Sequence, residues 1–177
     1  STTRRIIDLT LPINPEMAGV QITQAKTVLN DGWNASYINI YSHSGTHMDA
    51  PWHFEVNEQT IDQLPLDRLI SDAWIWDLHE VGPKEILGVQ HLKTLASDFK
   101  KGDSLLLRTG WSKRLGPDVY RDALPRIGED LAHWMGKYKV NVLGVEPPSV
   151  ADVNNLEEVT KIHQILMQHD IIIVEGL

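Results

Sequence analysis

The stretch His43-Ser44-Gly45-Thr46-His47-Met48-Asp49-Ala50-Pro51-Trp52-His53-Phe54 constrains this chain more than any other. Three histidines and a carboxylate fall within eleven residues, a density that ordinary core packing does not call for. Zinc and manganese take neutral imidazole and carboxylate ligands, and hydrolysis beside such an ion needs a spare acid or base. On a helix the four-residue interval from His43 to His47 would put both rings on one face, but Gly45 and Pro51 interrupt a helix. In an extended segment His47, Asp49, Pro51 and His53 share a face. Pro51 bars a central strand, so the spacing predicts a strand end running into a glycine-relaxed loop. The alternative is a turn carrying surface histidines, which gives no reason for three of them and an aspartate on one side.

The segment resembles the signature His-x-Gly-Thr-His-x-Asp-x-Pro-x-His of the metal-dependent cyclase family, which includes bacterial kynurenine formamidases (arylformamidases) and isatin hydrolases. The motif is long and specific for the family, but it does not fix the substrate.

Composition narrows the partners. A net charge of −8 disfavours nucleic acid and anionic membranes, both of which select basic surfaces. The absence of cysteine excludes disulfides and thiolate zinc sites, and no apolar run approaches the roughly 18 residues of a membrane span. The default expectation is a cytoplasmic protein, with the initial Ser hinting at processing or trimming. With 177 residues and no repeat or composition shift, a single domain over 1–177 is expected.

Along the chain, Arg5–Leu11 reads as a first strand ending at Pro12, and 14–19 as a turn-rich loop. Val20–Leu29 leans to β, Asn30-Asp31-Gly32 reads as a hairpin turn, and Trp33–Ser42 is a half-buried strand delivering His43. Residues 55–69 read as loop with a turn at Leu66–Leu69. Strands are predicted at Ala73–His79, Ser104–Thr109, Val140–Val145 and Ile171–Glu175, and helices at Gly88–Ser97, Gly128–Tyr138 and Leu156–His169, the last capped by Asn154 or Asn155. A β-rich front half followed by alternating strands and helices argues a mixed α/β fold, helices packed on one side of a curved sheet. The resemblance implies a β/β/α layered domain around a mixed, barrel-like sheet.

His163 sits near the apolar face of the last helix, where a lone histidine is as a rule a core residue. Glu175 ends an Ile-Ile-Ile-Val strand, where a carboxylate needs a cation or a donor. The resemblance joins them, since the family carries a His on its last helix and Glu-Gly-Leu twelve residues later, matched here by His163 and Glu175-Gly176-Leu177. It implies His43, His47 and Asp49 on one ion, Asp49 bridging to a second held by His163, and Glu175 on one or both. The ions would be Zn2+, one or two per chain, with Mn2+ as the alternative. His53 resembles the family's proton-transfer residue, its other reading being a donor that supports the ligands. Glu146 and Ser149 match a family segment Gly-Val-Asp-x-x-Ser, with Glu in place of Asp, and read equally as supports of the ligands or as plain loop. Trp33, Tyr37, Trp52, Phe54 and Trp111 suit either an aromatic pocket or plain core; Trp52 and Phe54, with Met17, are the candidate substrate contacts. His79, His91, His133 and His169 have no matching partners and are read as surface or structural.

The family's formamidases tend to carry Trp-Pro-Gly in the N-terminal loop, where this chain reads Met17-Ala18-Gly19. Family chains also continue past Glu-Gly-Leu for a strand or two, so a missing C-terminal strand or tail is expected. The expected activity is metal-dependent hydrolysis of a carbon–nitrogen amide bond in a small aromatic molecule. An open-chain formamide is the first substrate class and a cyclic amide such as isatin the second. A non-catalytic metal-binding module is the rival of another kind. A serine hydrolase built on Ser44 or Ser149 would need a Gly-x-Ser-x-Gly elbow, which the chain lacks. Family members commonly form dimers or larger assemblies, so a homodimer or higher homo-oligomer is expected.

Overall fold

The computed structural model describes residues 3, 5–92, 94, 98–116 and 118–177. Strands β1 (Val20–Lys26) and β2 (Ala35–Ile40) form an antiparallel ribbon with Val20 opposite Ile40. Helix α1 (Val28–Asp31) joins them, where the sequence suggested a tight turn at Asn30-Asp31-Gly32. Polar side chains decide this: Thr27 Oγ1 accepts from Asn30 N–H (3.3 Å), and the Asp31 carboxylate takes Thr27 N–H (3.0 Å) and Lys26 Nζ (2.8 Å). The N-terminal strand expected over Arg5–Leu11 does not form among the described residues. Leu11 N–H goes to the Thr46 hydroxyl (2.8 Å) rather than to a ladder, and Ile6, Ile7 and Leu9 are exposed. A β-like pattern without a partner edge does not make a strand.

The main sheet is mixed. It contains β3 (His47–Asp49) and β4 (Ala73–Asp77), while β5 (Ile86–Leu87) pairs in parallel with β7 (Arg126–Ile127) off to one side. Strands β6 (Ser104–Arg108), β8 (Val142–Val145) and β9 (Ile172–Glu175) complete it in the order β3-β9-β8-β6-β4. Among the described residues, only β3 runs antiparallel to its neighbour in this sheet. The sheet stays open, with β3 and β4 at its edges. Between Arg108 and β7 lie a 3-10 turn (Trp111–Arg114) and the short helix α2 (Val119–Asp122).

Two longer helices cover one face of the sheet. Helix α3 (Glu129–Lys137) buries Leu131, Ala132 and Met135. Helix α4 (Leu156–Gln168) is capped by Asn155, whose side chain accepts from Glu158 N–H (3.2 Å). It buries Ile162, His163, Ile165 and Leu166. Both helices carry acidic residues in the first turn, which suits the positive end of the dipole. Leu105, Leu107, Leu143, Val145 and Ile173 meet them from the sheet in one apolar core, with Trp74 and Trp76 packed at its side. Ile75, on the opposite face of β4, is 63% exposed. The helix expected over Gly88–Ser97 is a 3-10 turn at Val89–Leu92; residues 93 and 95–97 lie outside the described residues. Among the described residues, no helix is long and apolar enough to cross a membrane.

Candidate metal centre

The site is assembled at the β3–β9 pairing. His47 lies opposite Glu175 and Asp49 opposite Ile173, so period-2 geometry sets His47, Asp49 and Glu175 on one face of the sheet. Helix α4 lays His163 over that face. The extended run ends at Asp49 because Pro51 starts a 3-10 turn, Pro51–Phe54, the position where its fixed φ and missing N–H are tolerated. That turn, rather than continued strand, brings His53 back: its ring centroid lies 4.1 Å from that of His43.

The donor atoms converge. His43 Nδ1 and His47 Nε2 stand 3.1 and 3.6 Å from Asp49 Oδ1, and His163 Nε2 stands 3.5 Å from Asp49 Oδ2. Glu175 receives His47 Nε2 at 3.1 Å and His163 Nε2 at 3.3 Å on its two oxygens. Ligand atoms of His43, His47, Asp49 and Glu175 all lie within 4.8 Å of one another. Backbone carbonyls orient two of the rings: His47 Nδ1–H donates to Gly45 O (3.0 Å) and His163 Nδ1–H to Val159 O (2.6 Å). A carbonyl on one ring nitrogen, aiming the other inward, is the usual support of a metal-bound histidine. Val150 N–H donates to Glu175 Oε1 (2.8 Å) and fixes that carboxylate.

The residues fit a divalent cation on structural grounds. Asp49 and Glu175 are 4% and 2% exposed, yet both Asp49 oxygens and His47 Nε2 are buried without a hydrogen bond. Their neighbours are close but poorly directed, and unpaired buried carboxylate oxygens are costly. Without an ion the cluster compensates by holding a proton. Burial pulls the His163 imidazole down, but Asp49 and Glu175 outweigh it and push it up to about 9. Burial raises the Asp49 carboxyl, yet His163 and His43 hold it below the usual carboxylate range. A cation would take the place of that proton, and a thiolate-free imidazole and carboxylate set suits zinc or manganese. His53 lies beside these donors, but among the described residues its ring nitrogens pair with neither Asp49 nor Glu175, as those of His43, His47 and His163 do. Partial burial pulls the His53 imidazole below the ordinary value, which favours the neutral ring.

Sequence reasoning passed over the residue that ties the site together. Thr46 Oγ1 accepts from Leu11 N–H (2.8 Å) and donates to Gly176 O (2.5 Å), while Ser44 Oγ donates to Ala18 O (2.8 Å). Gly176 has φ +74°, and a Cβ there would sit 2.5 Å from Gly45 O. Only glycine lets the two loops approach so closely. The Gly-Thr of the motif was the available signal, but its partners lie far away in the chain. Thr46→Val should leave one backbone donor and one acceptor unpaired and cost about 1–3 kcal/mol. Urea unfolding of the metal-free protein measures this, and a valine variant as stable as the parent would refute it.

The other predicted residues fall in different places. Met17 sets its thioether over Gly45, 3.0 Å from where a Cβ would be. Trp52 is 61% exposed. Phe54 packs against His163 and His53. Trp111 is core, 1% exposed, with its indole N–H on Tyr120 O (2.8 Å). Trp33 and Tyr37 are exposed on the β1–β2 ribbon. Glu146 gathers Thr109 N–H, Thr109 Oγ1 and Trp111 N–H on Oε2 (3.0, 2.9 and 2.7 Å), anchoring the loop after β6. Ser149 Oγ accepts from Ala151 N–H (3.2 Å). His79 pairs with Asp77, His91 with Glu85, and His133 meets His169 edge-on.

Comparison with known proteins agrees on the relationship. The model of the family described as "Putative cyclase" matches residues 7–152. Kynurenine formamidase of Geobacillus thermodenitrificans is 32% identical over 145 residues, 81% of this chain and 65% of that protein. The chain thus spans just under two thirds of that relative. Kynurenine formamidase of Bacillus cytotoxicus is 28% identical over 179 residues, 97% of this chain and 81% of that protein. Among solved structures, isatin hydrolase A from Ralstonia solanacearum superposes with a TM-score of 0.86 at 19% identity, over 98% of this chain and 79% of that one. At that identity the likeness speaks for the fold.

Proposed function

The chain belongs to the cyclase family, and on that premise we propose that it is a divalent-cation-dependent hydrolase of a non-peptide carbon–nitrogen bond. The observation that carries this reading is the buried cluster of His43, His47, Asp49, His163 and Glu175, with unpartnered donor atoms at its centre and His53 beside it. A purely structural metal site closes on its ligands and has no use for such a base. We read the substrate class as an open-chain aryl formamide, in line with the kynurenine formamidase relatives.

His43, His47, Asp49, His163 and Glu175 would hold one or two ions. A bound divalent cation supplies Lewis-acid polarisation of the substrate carbonyl and lowers the pKa of a water. His53, neutral and open to solvent, accepts the proton of the attacking water and returns it to the departing nitrogen. The buried wall of α4 and β9 keeps bulk water off the carboxylates, so their charge acts at low dielectric. Met17, whose thioether lies over Gly45, and the exposed Trp52 are the residues we read as meeting the ring of the substrate.

A panel of N-formylkynurenine, simpler aryl formamides and isatin, assayed after chelation and after return of Zn2+ or Mn2+, tests the proposal. Formamide cleavage should vanish on chelation and recover with metal. Full activity in metal-free protein, or no turnover of any panel member when loaded, would overturn it. Cleavage of isatin alone would move the substrate to cyclic amides.

A further inference from the structure

We propose that Phe54 is a positioning residue that sets the imidazoles of His163 and His53, an inference resting on the metal-centre reading above. Phe54 closes the 3-10 turn of the motif, and its carbonyl accepts from Gln164 Nε2 of α4 (3.3 Å). Its ring stacks on His163, with centroids 4.3 Å apart and planes 26° from parallel. The same ring meets His53 edge-on at 4.4 Å and 66°. One phenyl ring thus touches both a candidate ligand and the candidate proton carrier.

Each imidazole needs that contact for its own reason. The Nδ1 of His163 is tied to Val159 O, which fixes one point of the ring and leaves its tilt free. Stacking on Phe54 restricts the tilt and so the direction of Nε2, which faces Asp49 and Glu175. Among the described residues no hydrogen bond holds the His53 ring; it is held by ring packing, close against His43 and Phe54 and edge-on to His163 at 6.2 Å. Groups that do chemistry require this kind of support to stay near productive geometry. The placement also leaves Phe54 little to offer a substrate. One face is stacked on His163, an edge contact is taken by His53, and the residue packs against the apolar core. Trp52, two residues earlier and exposed, is the free aromatic of the turn.

Phe54→Leu and Phe54→Tyr test the idea with Co2+ and Zn2+ alone and then with substrate. Phe54→Leu should weaken Zn2+ binding about 10-fold in competition with a chromogenic chelator, the lower end of what outer partners contribute. It should also alter the visible bands of the Co2+-loaded protein and lower kcat about 10-fold with KM within twofold. Phe54→Tyr, which keeps the ring, should restore all three. A folded Phe54→Leu with parental Zn2+ affinity and Co2+ spectrum but raised KM would make Phe54 a substrate contact and overturn the proposal. Should the leucine variant fail to fold, Phe54→Met fills the same gap without a ring and takes its place. Absence of Co2+ binding by the parent would sink the metal-centre reading instead. Positioning is then decided on metal-free protein by the imidazole 15N resonances of His163 and His53, expected to broaden in Phe54→Leu and stay sharp in Phe54→Tyr; unchanged resonances in the leucine variant refute it.

Discussion

Asp49→Asn is expected to abolish tight divalent-cation binding and, with it, turnover. The Asp49 side chain is fully buried, and imidazole nitrogens approach both of its oxygens. Asparagine keeps the shape but removes the charge and turns an amide donor toward nitrogens that should face an ion. The loss in affinity should exceed the roughly 10–100-fold that outer partners contribute. Loss of the several kcal/mol of charge stabilisation that a metal lends a hydrolysis corresponds to a rate fall of about 10³ or more. Calorimetric titration of Zn2+ into the metal-free variant, with circular dichroism as a fold control, measures the first effect, and initial rates measure the second. A folded Asp49→Asn protein that binds Zn2+ like the parent would remove the basis of the metal centre.

His53→Ala separates the second role from the first. Among the described residues, His43, His47 and His163 each bring a ring nitrogen within 3.1–3.6 Å of an Asp49 or Glu175 oxygen, whereas His53 meets the cluster through ring contacts with His43 and His163 and packs on Phe54. Metal content should therefore stay at the parental level while kcat falls about 10²–10⁴-fold, the usual contribution of a positioned acid or base. Because His53 opens to solvent, imidazole added to the buffer should recover part of the rate. Metal content that drops with the substitution would make His53 a ligand, and an unchanged kcat would leave the proton transfer to another group.

The local parts of this molecule were readable in its sequence. Period-2 spacing put His47 and Asp49 on one face before any partner strand was known. The apolar stripes of α3 and α4 placed those helices within a residue or two of their observed ends. What stayed hidden depended on distant partners. Arg5–Leu11 has a strand's pattern, but whether it pairs is decided by Thr46, whose hydroxyl takes the Leu11 amide. The β1–β2 connection turned on which side chains would satisfy Thr27 and Asp31. Phe54 looked like any aromatic beside a site; only the packing of the 3-10 turn on α4 shows which rings it faces. His163 and Glu175 were singled out by resemblance, since neither an apolar helix face nor the end of a strand announces a ligand by itself.

The pairing of β3 with β9 has a consequence for how the chain holds together. Among the described residues, the three of β3 are all that the chain ahead of β4 contributes to the large sheet, and the nearby tie between Thr46 and Gly176 spans 130 positions. An ion gripped by His43, His47 and Asp49 on one side and by His163 and Glu175 on the other would close a covalent-like loop of comparable length. Cross-links over loops of about 100 residues restrict the unfolded chain most, by about 4–5 kcal/mol in the entropy model. In a chain without a single cysteine, the metal would then be the molecule's equivalent of a disulfide, made and unmade by the supply of ions rather than by oxidation.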